Sequence, residues 1–459
     1  MSPATQIAFS PWRGAAGWLR PDPRLVAIPA AAFLALASAL MLLRVPPFIN
    51  WFYISAWYPT LVLFDASIAA RSGRYFLLTR PRFAISLLGW SAVLWFFFEL
   101  VNFRVTNWYY VFLPPARGLR WLGTTLAFMT VLPAIFLAER WLDSRRLFTG
   151  LQSPSFQVGR RLLGAVVCGG VAFAALALTW PALFFPLIWG ALTLLLEPWN
   201  YRRDPGRSLI GDLAAGRPGR TLRLLVGGMA IGLLWELYNI ESRSKWIYTV
   251  PGFENFKLFE MPLLGFFGFP IFALDCFVFY QSVVLARVAV APERGAESGG
   301  LRLSARRAAV AGVIGLVFSL GVLYGMDRWN TDSLQPRLAD LWLVEASARR
   351  RLERTPYDGV FQLADATPGA VAAAVGVSED EARQWVEAAR LAALRGIGTE
   401  NAHLLWRAGV RSVERLAAVD AGELASRLEA LATRPRAASP PRVRVWVRAA
   451  RDAVAHANP

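Results

Sequence analysis

Long apolar runs constrain this chain more than any other feature. A helix of about 20 apolar residues crosses the roughly 30 Å hydrocarbon core of a bilayer, and 55% of this chain is hydrophobic. The sequence predicts nine such helices, at about 25–43, 52–70, 84–101, 119–138, 162–179, 180–197, 222–239, 258–286 and 307–325. We therefore expect an all-α protein, a polytopic membrane helix bundle that carries a soluble helical domain at its C-terminus.

Basic residues set the expected orientation. The net charge is +17, and the cations other than Lys245 and Lys257 are arginines. They cluster after the second, fourth, sixth and eighth runs and are sparse in the alternate loops, a bias typical of cytoplasmic loops. This predicts a bacterial inner-membrane protein with residues 1–24 in the cytoplasm and the C-terminal domain on the periplasmic side. We therefore expect the arginines to orient the protein in the lipid bilayer, and we do not expect nucleic acid as a partner.

The membrane part has an internal duplication. Residues 25–150 and 151–300 each contain four of the expected spans, and a motif recurs at the end of the third span of each half. The motif is Glu-x-x-Asn followed by Trp-x-Tyr. Because each half has an even number of spans, the two halves are expected to be parallel repeats around an axis along the membrane normal.

The repeated motif is the strongest candidate for a site. Positions i and i+3 share one helix face, and an ionisable residue in a membrane helix usually faces the bundle interior. Alternatively, the polar pair caps a helix end and the rings belong to an interfacial aromatic belt. The predicted ligand-binding residues are Glu99, Asn102, Trp108, Tyr110, Glu236, Asn239, Trp246 and Tyr248.

Two further carboxylates occur only in the second half. Glu260 and Asp275 have Gly123 and Ala138 at the corresponding positions of the first half. With Glu236 they are the candidate catalytic residues. The two histidines lie in the tail and the cysteines do not cluster, so no metal site and no cofactor is expected.

A resemblance covers about 50 residues of the second half. Asn239, Trp246-Ile247-Tyr248 and Phe259-Glu260-Met261-Pro262 look like segments of membrane-bound lycopene cyclases and related carotenoid-biosynthesis proteins. The resemblance implies acid catalysis on a polyene, with Glu260 as the acid and Glu236 as a second carboxylate. The Pro-x-Glu-Glu order of that family is absent here.

The tail has its own organisation. After the ninth span (301–326), residues 327–355 predict an amphipathic linker helix, and residues 356–459 predict a duplicated helical domain. The segments Leu363–Val375 and Leu416–Leu428 are parallel, and Gly396 and Gly398 lie between the copies. This domain resembles the tandem helix-hairpin-helix family of unknown function, which implies a hairpin that binds an anion through backbone N–H groups. Basic and acidic residues nearly balance in the tail, which favours a protein partner over DNA.

Three functions remain open from the sequence. The first is binding or carrying a lipid or isoprenoid between the two halves. The second is a membrane enzyme of the carotenoid or isoprenoid type. The third is a membrane-tethered scaffold whose tail binds a protein partner.

Overall fold

The computed structural model describes residues 21–249, 257–292, 302–432, 436 and 438–457; the N-terminal segment expected in the cytoplasm lies almost wholly outside them. The described chain is helical with very little sheet, which confirms the fold class. The helices of the membrane part are α1 (Pro23–Leu42), α2 (Phe48–Ser72), α3 (Pro81–Val105), α4 (Arg117–Phe128), α5 (Val131–Ser144), α6 (Arg160–Thr179), α7 (Pro181–Phe184), α8 (Ile188–Arg203), α9 (Leu209–Ala214), α10 (Gly219–Ile240), α11 (Gly268–Leu285) and α12 (Ala305–Trp329).

Within the described residues, eight helical segments are long and apolar enough to cross a membrane, with α4 and α5 together forming one of them. The expected count was nine. The difference is the second expected span, which forms the 25-residue helix α2. The composition of α2 is less apolar than that of the eight segments, because the helix contains several tryptophan and tyrosine residues together with Asn50, Pro59 and Asp65. Much of α2 is nevertheless buried, since it packs between α1 and α5.

The two halves have the same order of elements. Each begins with a helical hairpin, α1–α2 or α6–α8. Each then has a long helix followed by a short strand: α3 precedes β1 (Trp108–Val111), and α10 precedes β2 (Lys245–Tyr248). The last membrane helix of each half, α5 or α11, packs on the helices before it, and α5 also contacts α10. One apolar core therefore runs through both halves.

Another pair of acidic residues, Asp65 and Glu197, recurs toward the C-terminal ends of α2 and α8. Asp65 is 1% exposed and Glu197 is 2% exposed. The Asp65 carboxylate accepts hydrogen bonds from the backbone N–H groups of residues 76, 77 and 78, at 2.5, 2.9 and 2.7 Å. Glu197 accepts from the Ser208 hydroxyl at 2.6 Å and from the Ile210 N–H at 2.8 Å. Both carboxylates thus hold the loop that follows their helix.

The linker differs from the prediction. Residues 327–355 do not form one amphipathic helix, because α12 continues to Trp329 and the chain then runs extended to Gln335. Helix α13 (Ala346–Leu352) begins only after a further turn at Leu338–Asp340. The backbone groups of 330–335 bond to the strand β1 instead of to each other, since Tyr110 N–H donates to Asn330 O at 2.7 Å and Asp332 N–H donates to Tyr110 O at 2.8 Å.

The tail is a duplicated helical domain. Its helices are α14 (Val360–Ala364), α15 (Pro368–Val375), α16 (Glu379–Ala393), α17 (Gly398–Arg407), α18 (Val413–Ala418), α19 (Ala421–Glu429) and α20 (Pro440–Ala457). Trp385 and Trp446, at equivalent positions of α16 and α20, are both buried. Arg390 Nε donates to Ala364 O at 3.1 Å and Arg451 Nε donates to Ala417 O at 3.0 Å. The same arginine contact thus closes both copies.

Candidate functional site

The two repeated motifs meet across a pair of strands. β1 and β2 are antiparallel, with Trp108 opposite Tyr248 and Tyr110 opposite Trp246. Equivalent segments that pair in this way are related by an approximate twofold axis. Because side chains alternate along a strand, these four rings share one face. Tyr109, Val111 and Ile247 lie on the other face and pack with Val445 of the tail.

The repeated asparagines hold the strands. Asn102 Oδ1 accepts from Asn107 N–H at 2.9 Å, and its Nδ2 donates to Trp108 O at 2.8 Å. Asn239 bonds to both backbone groups of Trp246, at 3.1 and 3.0 Å. Both side-chain amides are buried, and their hydrogen bonds go to backbone groups. Asn102 and Asn239 were predicted to contact a ligand, but the structure uses them to fix where each strand begins.

Glu99 accepts a complete set of hydrogen bonds. It is 0% exposed. Its Oε1 accepts from Tyr110 OH at 2.6 Å, Trp108 Nε1 at 2.8 Å and Trp95 Nε1 at 3.2 Å. Its Oε2 accepts from Asn330 Nδ2 at 2.7 Å. The Glu-x-x-Asn and Trp-x-Tyr spacing is thereby explained, because the rings of the strand fold back onto the carboxylate of the helix.

The second copy repeats this arrangement incompletely. Glu236 is also 0% exposed and accepts from Tyr248 OH at 3.0 Å. Trp246 Nε1 lies near the carboxylate but does not meet the geometry of a hydrogen bond. Glu236 Oε2 has no hydrogen-bond partner among the described residues. Part of the difference comes from Asn330, which follows α12 and reaches the first half only, and part from Trp95, whose counterpart in the second half is Gly232. The two sites are thus similar in sequence and unequal in structure.

A cavity of about 160 Å³ lies against the face that carries the four rings. Its walls come from both halves. Tryptophans dominate the lining, at positions 51, 95, 108, 189, 235 and 246, together with Tyr53, Tyr110 and Tyr248. Glu99 and Glu236 do not line it and lie behind the tyrosines to which they bond. We call this space the aromatic cavity.

The two strand tyrosines are poor acids. Burial raises the pKa of Tyr248 and of Tyr110 well above the usual value of 10, and in each case the neighbouring glutamate raises it further. Both phenols therefore remain protonated at physiological pH. Each can donate one hydrogen bond, which goes to the carboxylate of its own half.

The other candidate catalytic carboxylates lie elsewhere. Asp275 accepts from Gly190 N–H at 2.9 Å, Thr193 N–H at 2.7 Å and Thr193 Oγ1 at 2.6 Å. It thus stabilises the start of α8, where the backbone departs from helical geometry. Glu260 is 1% exposed and forms ion pairs with Arg395 and with Lys245. The three carboxylates therefore have separate partners and do not form one catalytic group.

Lys245 lies where the cavity, the second half and the tail meet. Its Nζ is 3.3 Å from Glu260 Oε1 and donates to Ile240 O at 2.7 Å. Burial, and then the positive charge of Arg395, lower the pKa of Lys245 to about 7. The negative charge of Glu241 opposes this shift in the pKa of Lys245.

The tail is docked onto the outer face of the strand pair. Gly396 and Gly398 have φ of +82° and +70°, as the hairpin prediction requires. They face protein, since a Cβ added at Gly396 would meet Val111 Cγ1 at 3.2 Å and one at Gly398 would meet Ser333 Cβ at 2.7 Å. The anion-binding role implied for this loop is thus not open to a phosphate in this conformation. Arg442 secures the contact through Asp332, at 2.9 Å.

Several residues of this region had no signal in the repeat. Asn330, Asp332 and Arg442 act across large sequence separations, and Trp189 and Tyr53 reach the cavity from helices outside the motif. Among the described residues, no group of three or more histidine, cysteine, aspartate or glutamate side chains could hold a metal ion.

The fold and site define a polytopic helical membrane protein with an aromatic cavity between duplicated halves and a helical domain docked beside it. Within that domain, residues 359–453 match the family model described as a domain of unknown function, DUF4332. No curated protein and no solved structure matches the chain.

Proposed function

We propose that this protein binds or carries an apolar ligand, a lipid or an isoprenoid, in the aromatic cavity. One observation carries the proposal: a partly open apolar space lies where the two halves meet, lined by six tryptophans. Protein interiors are otherwise closely packed. By the same measure one water occupies roughly 10–15 Å³, so the space has room for a substantial part of an organic molecule.

The chemistry of the walls favours an apolar occupant. Cavities lined by apolar side chains stay dry and take up apolar molecules. Several polar groups that line the space are already engaged, since Tyr110 and Tyr248 donate to glutamates and Arg120 is paired with Asp327 at 2.6 Å. Asn50 Oδ1 and the indole N–H groups of Trp235 and Trp246 also line it and have no hydrogen-bond partner among the described residues. Rings therefore supply most of the contact area.

The test is mass spectrometry of an organic extract of the full chain purified from its native membrane. The expected result is a stoichiometric apolar molecule. Gly268 lines the cavity, and a Cβ there is in ordinary contact with Trp189 at 3.4 Å. Gly268→Leu should fill the space and reduce the bound ligand at least tenfold. The control is Gly312→Leu on α12, where a Cβ meets nothing within 4 Å. An empty extract from the unaltered protein, or equal ligand in both variants, contradicts the proposal.

The enzyme hypothesis receives less support from the geometry. The resemblance to lycopene cyclases implies that Glu260 acts as an acid. Glu260 lies between Lys245 and Arg395, and opposite charges favour the ionised form of a carboxyl group. A carboxylate held in that form is a poor proton donor. If turnover of a polyene is found, it should depend on Glu236 and persist in Glu260→Gln.

The tail is proposed to lie on the periplasmic side of a bacterial inner membrane. In support, α3, α10 and α12 all end at the strand pair, so the tail shares a side with loops that carry few arginines. The helix-hairpin-helix resemblance keeps a protein partner as the second candidate function. Such a partner would contact the surface of the tail away from Gly396 and Gly398. Labelling of a cysteine introduced at Arg407 with a membrane-impermeant reagent tests the side.

A further inference from the structure

We infer that the aromatic cavity binds a positively charged group of the ammonium class, so that its ligand is a cationic amphiphile. This inference rests on the proposed function and narrows its ligand. It starts from two buried carboxylates, Glu99 and Glu236, both 0% exposed. Neither forms an ion pair with a described residue, although the positive charge of Lys257 acts on Glu236.

The hydrogen bonds around Glu99 fit an ionised carboxylate. Its neighbours present Trp95 Nε1, Trp108 Nε1, Asn330 Nδ2 and the Tyr110 hydroxyl. The two indoles and the amide nitrogen can only donate, and an ionised carboxylate can only accept. A buried charge is costly unless it is paired. A cation bound near the strand pair would offset that cost.

The two basic side chains that line the cavity do not supply it. Arg120 is committed to Asp327 and to the carbonyls of Pro114 and Pro115, at 2.6, 2.8 and 3.0 Å. Lys245 is committed to Glu260. Neither lining cation therefore pairs with Glu99 or Glu236. The charge of Lys257 acts on Glu236 without forming an ion pair, and a cation inside the cavity would add to that effect.

The walls provide the matching surface. Aromatic faces attract cations through their quadrupoles, tryptophan most strongly, and cages of such rings recognise quaternary ammonium groups. Here Trp108 and Trp246 lie on the shared face of the strand pair, and Trp95 and Trp235 line the same space. An ammonium group between them would face rings on several sides and a carboxylate behind each tyrosine.

The unequal copies place the cation nearer the second half. Asn330 occupies Glu99 Oε2, whereas Glu236 Oε2 has no hydrogen-bond partner among the described residues. Glu236 is thus a positioning residue, the less satisfied of the two carboxylates. In the first half, Asn330 at the end of α12 already satisfies the carboxylate, so this half contributes the aromatic wall of the cavity.

The test compares two probes of the same shape. Choline carries a quaternary ammonium, and 3,3-dimethyl-1-butanol replaces it with an uncharged tert-butyl group. Binding of each to the full chain in nanodiscs of uncharged lipid is followed by tryptophan fluorescence. Choline should bind at least tenfold more tightly. Glu236→Gln should reduce this preference to less than threefold. The control Glu139→Gln removes a carboxylate that is paired with Arg223 at 2.9 Å outside the cavity lining, and should keep the preference.

The outcomes separate the two proposals. Equal binding of the probes overturns the ammonium inference and leaves apolar binding intact. An uncharged lipid in the organic extract, with no choline binding, does the same. If neither probe binds and the extract is empty, both proposals fail. If Glu236→Gln does not fold, the ratio for the unaltered protein decides.

Discussion

Docking of the tail onto the strand pair makes Gly398 the most informative residue to change. Gly398 and Gly376 both have φ of +70°, where an alanine costs about 1–2 kcal/mol relative to right-handed conformations. A Cβ at Gly376 meets nothing within 4 Å, whereas one at Gly398 lies 2.7 Å from Ser333 Cβ and 3.3 Å from Leu334 O. Gly376→Ala therefore measures the backbone cost alone.

Gly398→Ala adds the cost of the contact. Overpacking of a close interface costs typically 1–3 kcal/mol. The entropy that alanine removes from the unfolded chain is common to both variants and cancels. The local opening free energy at the interface should therefore fall by about 1–3 kcal/mol more in Gly398→Ala, since the backbone cost is shared.

Hydrogen–deuterium exchange of the full chain measures this change in the local opening free energy. Leu113 N–H donates to Ser333 O at 3.2 Å, and Tyr110 N–H donates to Asn330 O at 2.7 Å. Displacing Ser333 should speed exchange in the β1 peptide by about 5- to 150-fold, the rate equivalent of that energy. Gly376→Ala should leave this peptide unchanged. Equal protection of β1 in the two variants would refute the docked arrangement.

Three further outcomes are expected. Arg442→Met leaves the buried Asp332 carboxylate without its cation and should lower the free energy of unfolding by about 3–5 kcal/mol; a loss below about 1 kcal/mol in thermal unfolding contradicts the buried pair. Glu99→Gln should destabilise the protein more than Glu236→Gln, because Glu99 accepts four hydrogen bonds; equal melting temperatures contradict the inequality of the copies. The pKa of Lys245 is lowered to about 7 by burial, below the 10.5 of the unfolded chain. The unfolded state then binds more protons between pH 7 and 10.5, so stability should rise with pH in that window, and Lys245→Met should flatten the rise.

The contacts within the repeated motif are local in sequence, although the motif was predicted as a ligand site and not as ring-to-carboxylate hydrogen bonds. Tyr110 and Trp108 lie within a dozen residues of Glu99, so the spacing alone brings them together on one carboxylate. The same holds for Tyr248 and Glu236. The role of the asparagines was not predictable, because an amide after a helix can face a ligand or the next strand equally well.

The tail shows the opposite case. The Gly396–Gly398 spacing predicts a tight hairpin, and both residues have positive φ. The spacing does not show what packs against these glycines, because close approach of a phosphate and close approach of a neighbouring backbone both require glycine. The partner, Ser333, lies in a segment that the hydrophobic pattern assigned to a helix. That segment is extended because its backbone groups bond to β1, a pairing between distant parts of the chain.

Part of the asymmetry of the site follows from the helix that the duplication does not contain. The duplicated sequence gives each half a glutamate, two strand rings and an asparagine, but Trp95, which donates to Glu99, has Gly232 at the corresponding position of the second half. α12 packs beside α3 and brings Asn330 to one carboxylate only. The second carboxylate keeps an unpartnered oxygen among the described residues. Leaving it so is costly, and a cation bound in the cavity as inferred above would interact with this carboxylate through its charge more than with the fully hydrogen-bonded copy. A symmetric pair of halves can in this way hold one asymmetric ligand.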